Sequence, residues 1–95
     1  MGIYAQIKFH KANSICRMAQ IRDEAILKTV GLHIRKLREK AGYSQQELAD
    51  LCDMELSQIN RIELGKINTS VGVLFRIASI LNIKPSKLLD IEGFL

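Results

Sequence analysis

The chain has 95 residues, of which 47% are hydrophobic and 25% charged, with a formal charge of +4. These values predict one small domain with a modest core, and no apolar run approaches the ~18 residues of a membrane span. The two cysteines and two histidines have no metal-ligand spacing, so we expect no metal or cofactor. The isolated cysteines favour a reducing, cytoplasmic setting.

Residues 1–22 are interpreted as a basic N-terminal arm. They hold four basic residues and no acidic one, whereas residues 23–95 hold ten of each, so the whole excess of charge lies in the arm. Residues 1–10 alternate between apolar and polar types, which is a strand pattern, but no later segment offers a partner strand. The arm is therefore expected to be disordered, or a short strand paired with its copy in a second molecule.

A first helix is predicted from Asp23, a possible cap, to Lys40. Gly31 inside it costs about 1 kcal/mol relative to alanine, so it either allows close packing or marks where the regular helix begins. Gly42 is expected to end the helix. Apolar residues recur at spacings of three and four and form one stripe: Leu27, Val30, Ile34 and Leu37.

The stretch from Ser44 to Gly65 has the pattern of two short helices joined by a tight turn. Ser44 and Glu47 have the spacing of a capping box at the start of the first helix. The second helix begins at Leu56 and ends at Gly65, which suits a left-handed backbone. The apolar side of the first helix is expected to contain Leu48, Ala49 and Leu51.

The second of these helices has two contrasting sides. Ile59 and Ile62 are three residues apart, so they share one side and are expected to face the core. Arginine pairs well with guanine and asparagine with adenine, so the opposite side fits the DNA major groove. At 100° per residue that opposite side contains Ser57, Asn60, Arg61 and Leu64.

Two further helices are expected to complete the chain. Thr69 or Ser70 caps the first of them, and Pro85 is at the first position of the last, short helix. Their inward residues are predicted to be Leu74, Ile77, Ala78 and Leu81 in the first, and Leu88 and Leu89 in the last.

The motif SQQELA at 44–49, then Met54, then SQINRIELGK at 57–66 resembles the helix-turn-helix of the phage repressor and Cro-like (Xre) family. The likeness runs from about Val30 to Leu89. It implies an all-α fold, a compact bundle of about five helices similar to lambda repressor, with the domain spanning residues 23–95. It also implies that the second helix of the motif lies in the major groove.

The resemblance assigns DNA contacts residue by residue. Gln45 matches a family residue that contacts phosphate and braces the recognition helix, and Lys66 is placed for a phosphate. Glu55 and Leu56 depart from the family's usual polar residues: Leu56 can contact a thymine methyl group, and Glu55 can accept from cytosine or repel phosphate. The full predicted DNA-binding set is Ser44, Gln45, Leu56, Ser57, Asn60, Arg61 and Lys66.

Arg38 and Glu63 match a second feature of the family, an ion pair between helix 1 and the end of the recognition helix. The implied role is structural. Removing one partner of such a pair, if it is buried, leaves an uncompensated charge, at a cost of about 3–5 kcal/mol.

The predicted function is sequence-specific transcriptional regulation, as a repressor that occupies double-stranded DNA as a homodimer. No set of residues in the sequence has a catalytic pattern, so an enzyme is not predicted. The alternative is an antitoxin-like module that binds a protein partner with the same fold, which the neutral domain and Glu55 favour.

Two surfaces are candidates for the dimer contact. One is the C-terminal end, and the other is the apolar side of the arm. The C-terminal end is preferred because the family domain is complete without the arm. The residues concerned are Leu89, Ile91, Phe94 and Leu95 at the C-terminal end, and Ile3, Ala5, Ile7 and Phe9 in the arm.

Overall fold

The computed structural model describes the backbone of residues 12–92 and the side chains of residues 23–92. All regular structure within these residues is helical, which confirms the all-α bundle. The strand pattern at residues 1–10 and the apolar residues Phe94 and Leu95 lie outside the described part. The five helices are α1 (Ala12–Lys40), α2 (Gln45–Leu51), α3 (Leu56–Glu63), α4 (Val71–Leu81) and α5 (Pro85–Leu88).

The expected start of the first helix at Asp23 is wrong, because α1 begins at Ala12. Residues 12–30 contain neither glycine nor proline, so nothing in the sequence interrupts a helix there. The change from basic to mixed charge near residue 22 indicated a boundary between the arm and the first helix, but α1 continues through it. The second half of the arm is therefore the first part of α1.

The core lies where α1, α2, α3 and α4 meet, closed at one end by α5. The expected stripe on α1 is centred on Ile34, which is buried. No helix in the described part of the chain combines the length and apolarity needed to cross a membrane. The buried hydrophobic residues are Ile34, Leu48, Ala49, Cys52, Ile59, Ile62, Ile77, Ala78, Leu81 and Leu88.

Two predicted core positions are wrong. Leu51 is 53% exposed, whereas Cys52, the first residue after α2, is fully buried. The buried arc of α2 is centred on Leu48, Ala49 and Cys52, and Leu51 lies roughly 100° around the helix from its centre. Leu89 is also 53% exposed, because α5 is a single turn that ends at Leu88 and offers one inward position.

α1 and the end of α3 are in unusually close contact. A Cβ on Gly31 would lie within 2.5 Å of the Glu63 carbonyl oxygen and would also collide with that of Ile62. A Cβ on Gly65 would lie 2.6 Å from Cα of Lys28, and Gly65 has a φ of +71°. Of the two roles left open for Gly31, close packing is the one that the structure supports.

Candidate nucleic-acid interface

The start of α2 is fixed by a capping box. Oγ of Ser44 accepts from the Glu47 amide at 3.0 Å, and a Glu47 carboxylate oxygen accepts from the Ser44 amide at 3.0 Å. Hydrogen bonding to the Ser44 backbone, and then to its side chain, holds the pKa of the Glu47 carboxyl below its usual range. Ser44 itself is exposed at the start of the helix.

α3 has one buried and one exposed side. Ile59 and Ile62 are buried, whereas Leu56, Ser57, Asn60 and Arg61 are exposed. The inward pair holds α3 against the core, so these four side chains are presented outward from a fixed helix.

Glu55 precedes α3 as its N-cap residue. Its side chain makes no capping hydrogen bond and is exposed. It lines a shallow polar depression with Asp50, Asp53 and Gln58 beside the turn. The described residues include no cluster of histidine, cysteine and acidic side chains that could hold a metal ion. This edge of the helix-turn-helix is therefore acidic, in contrast to the exposed side of α3, which carries the cation of Arg61.

Arg38 and Glu63 form a buried ion pair with two hydrogen bonds. Arg38 Nε donates to Glu63 Oε2 at 2.7 Å, and Nη2 donates to Oε1 at 3.0 Å. Only 8% and 2% of the two side chains are exposed. The hydrogen bond to Glu63 raises the pKa of Arg38, so the guanidinium is charged at every ordinary pH.

The same pair reaches the turn between α1 and α2. Arg38 Nη1 donates to the Tyr43 carbonyl oxygen at 2.7 Å. Tyr43 immediately precedes the Ser44 cap. One guanidinium thus connects the end of α1, the entry to α2 and the end of α3.

Gln45 links this buried pair to the exposed side of α3. Its Nε2 donates to Glu63 Oε1 at 2.9 Å, and its Oε1 accepts from Asn60 Nδ2 at 3.4 Å. Gln45 is half-buried and Asn60 is exposed. The structure therefore brings two of the candidate DNA-binding residues together, from separate helices.

Lys66 lies beyond the end of α3. Its backbone amide donates to the Arg61 carbonyl oxygen at 2.9 Å, which places it beside the last turn of that helix. The Lys66 side chain is exposed. Its cation is free to approach an anionic surface that also contacts α3.

Two hydrogen bonds to backbone carbonyl groups, one in the motif and one at α5, were not found from the sequence. Arg76 on α4 donates through Nη1 to the Cys52 carbonyl oxygen at 3.0 Å, which anchors the turn of the motif. His33 on α1 donates through Nε2 to the Lys87 carbonyl oxygen at 2.7 Å, which ties α1 to α5. Both acceptors are backbone carbonyl groups, which every residue has. The acceptor's residue type therefore does not reveal these contacts in the sequence.

Cys52 is the buried thiol of the motif. Burial raises its pKa, and the charge of Arg76 partly offsets that rise. A buried neutral thiol is unreactive and packs as a small apolar side chain.

Comparison with known proteins agrees with this geometry. Residues 34–88 match the helix-turn-helix protein family. Control protein C.BamHI of Bacillus amyloliquefaciens is 36% identical over 61 residues, which are 63% of this chain and 75% of that protein. A Pyrococcus furiosus protein named as an HTH-type transcriptional regulatory protein is also 36% identical over 61 residues, 64% of this chain but 19% of that protein.

A solved structure has a similar fold. The crystal structure of the restriction-modification controller protein C.AhdI from Aeromonas hydrophila has a TM-score of 0.67 and 34% sequence identity. The likeness covers 68% of this chain and 94% of that chain.

Proposed function

The chain belongs to the Xre-type helix-turn-helix family of transcriptional regulators, and we propose that it binds specific double-stranded DNA sequences through α3. The exposed side of that helix carries this proposal. It offers Ser57, Asn60 and Arg61 to a ligand while the opposite side is held in the core. A helix with this arrangement fits the major groove, where its side chains can read base edges.

Phosphate contacts are assigned to groups at the margins of α3. Lys66 supplies a free cation beyond its C-terminal end, and Ser44 and Gln45 are at the start of α2. Such contacts supply affinity without reading sequence, so base preference is assigned to Ser57, Asn60, Arg61 and Leu56. Glu55 has no partner at the helix start, and its carboxylate is expected to disfavour a phosphate placed beside it.

The regulator is proposed to act as a cytoplasmic repressor that occupies its operator as a homodimer. One helix-turn-helix contacts few base pairs, so two copies on half-sites about one helical turn apart provide useful specificity. C.AhdI is named as a controller of a restriction-modification system. The corresponding role proposed here is control of transcription.

Selection of binding sites from genomic fragments tests the proposal. Wild type should enrich a two-fold symmetric sequence, and Arg61→Ala should lose about 1–3 kcal/mol of binding and its preference at one base pair per half-site. Arg35→Ala is the matched control, because Arg35 is an exposed α1 residue paired with Glu39. Equal selection by wild type and Arg61→Ala would contradict the docking of α3.

Salt dependence separates the phosphate contacts from base reading. Lys66→Ala should weaken all sequences alike and reduce the slope of log affinity against log salt by about 0.9 for each protomer's lost contact. Lys84→Ala, at an exposed lysine before α5, should leave the slope unchanged. If wild type binds no fragment even at low salt, DNA binding is excluded and a protein partner becomes the ligand to seek.

A further inference from the structure

The hydrogen bonds from Glu63 to Asn60 have a fixed direction. Carboxylate oxygens only accept hydrogen bonds, so Gln45 must turn its Nε2 toward Glu63 Oε1, as observed at 2.9 Å. Its other end, Oε1, then faces Asn60 and only accepts. Asn60 must therefore donate through Nδ2, as observed at 3.4 Å. Each amide orientation follows from the one before it.

The direction of these hydrogen bonds is set by the Glu63 carboxylate, whose position is fixed. Glu63 is held by two hydrogen bonds from Arg38, and both side chains are buried. A charge-assisted hydrogen bond is stronger than a neutral one, so the orientation of Gln45 is strongly preferred. The structure thus joins a buried ion pair to an exposed side chain on α3 through one glutamine.

We propose that Glu63 is a positioning residue for base recognition, which acts through Gln45 to fix the orientation of the Asn60 amide toward DNA. This inference rests on the proposed DNA-binding function. It gives the Arg38–Glu63 pair a role in specificity, in addition to its effect on stability.

The orientation determines which base Asn60 can pair with. Once one N–H of Nδ2 is given to Gln45, the side chain retains its second N–H and Oδ1 for a ligand. Adenine presents the complementary pair in the major groove, the N7 acceptor and the N6 donor. A reversed amide would exchange the positions of oxygen and nitrogen and lose that match. Asn60 is therefore assigned a preference for adenine, and Glu63 maintains it.

Variants along the connection test the proposal by their effect on one base pair. Gln45→Leu removes the connecting amide but leaves both hydrogen bonds between Arg38 and Glu63. It should reduce an adenine preference of about tenfold to about twofold or less, and it should lower the melting temperature less than Glu63→Ala does. Gln46→Leu is the control, because Gln46 donates to Asp50 and has no bond to Glu63.

Two further variants distinguish positioning from simple contact. Glu63→Gln replaces the charged acceptor by a neutral amide of the same shape, and it should relax preference at the same base pair and at no other. Combining Gln45→Leu with Asn60→Ala should change that preference no more than Asn60→Ala alone. Unchanged preference in Gln45→Leu, or equal loss at several base pairs, would overturn the proposal.

A measurement on the free protein separates this inference from DNA binding itself. In nuclear magnetic resonance spectra, the Gln45 side-chain amide should exchange slowly with water. Gln45→Leu should move the Asn60 side-chain amide signals, whereas Gln46→Leu should not. If the Asn60 signals stay in place, the connection is absent and the inference fails, whatever the DNA result. If they move but wild type binds no DNA, it is the proposed function that fails, and the inference with it.

Discussion

Glu63 accepts hydrogen bonds from two side chains, Arg38 on α1 and Gln45 on α2, although it is itself the last residue of α3. Its carboxylate is almost completely buried, so its desolvation is compensated by these partners alone. Removing one member of a buried pair destabilises the fold, because the other charge then remains without a counter-ion in a medium of low polarity.

Glu63→Ala is expected to lower the free energy of unfolding by about 3–5 kcal/mol, because Arg38 stays buried without its partner. Urea denaturation followed by circular dichroism measures the loss. Glu92→Ala removes an exposed carboxylate and should change stability by less than about 0.5 kcal/mol. Equal small losses in the two variants would show that the pair does not stabilise the fold.

The capping box makes part of the stability depend on pH. The pKa of Glu47 is lower in the folded chain than its ordinary value of 4.5. The ionised carboxylate therefore stabilises the fold above about pH 4.5, and this contribution is lost as the pH falls through the folded pKa.

Glu47→Ala tests this dependence. The stability difference between wild type and the variant should be constant near neutral pH and should shrink below about pH 4.5. Thermal unfolding over a pH series provides the measurement. A difference of the same size at about pH 3 would mean that the Glu47 charge contributes nothing.

At the scale of elements, the position of α3 depends on how closely α1 approaches it. Gly31 lets the α1 backbone contact the carbonyl groups at the end of α3, and Gly65 lets the chain leave α3 beside Lys28. Backbone atoms cannot move aside as a flexible side chain can. A methyl group at Gly31 must therefore push the two helices apart.

Gly31→Ala is expected to destabilise the fold by about 1–3 kcal/mol, although alanine is the better helix former. Gly72→Ala is the matched control within α4. Its added Cβ would meet nothing closer than 3.9 Å, so it should stabilise by up to about 1 kcal/mol. Thermal unfolding of both variants measures the contrast, and a stabilised Gly31→Ala would disprove the close contact.

At the scale of the whole molecule, Leu89 extends into solvent beside an apolar depression that Val30, Ile67 and Leu74 also line. Val71 and Phe75, one turn apart on α4, are exposed as well. Leu89 and the depression beside it thus offer apolar surface for the second copy that the proposed operator binding requires.

Leu89→Glu is expected to weaken the proposed dimer at least about tenfold, because a charge in an apolar contact must lose its water. Leu51→Glu is the control, since Leu51 is equally exposed on α2. Sedimentation at micromolar concentrations distinguishes monomer from dimer. If Leu89→Glu stays dimeric and a chain starting at Met18 is monomeric, the contact lies in the N-terminal arm.

The sequence by itself determined the parts of the fold that local interactions control. The cap at Ser44, the left-handed turn at Gly65 and the inward direction of Ile59 and Ile62 depend on residues a few positions apart, so spacing alone reveals them. The start of α1 also depends on local residues, since residues 12–30 contain no helix breaker. It was predicted wrongly because the basic charge of residues 1–22 suggested a separate segment.

The tertiary structure decided what depends on contacts between distant segments. Neither the burial of Cys52 in place of Leu51 nor the bonds from Gln45 to Glu63 and Asn60 has a signature in residue order. Partners 15 to 54 residues apart meet only when helices pack, and a backbone carbonyl can accept a hydrogen bond whatever its side chain. The sequence therefore specified the helix that faces outward, and packing determined which atoms it presents.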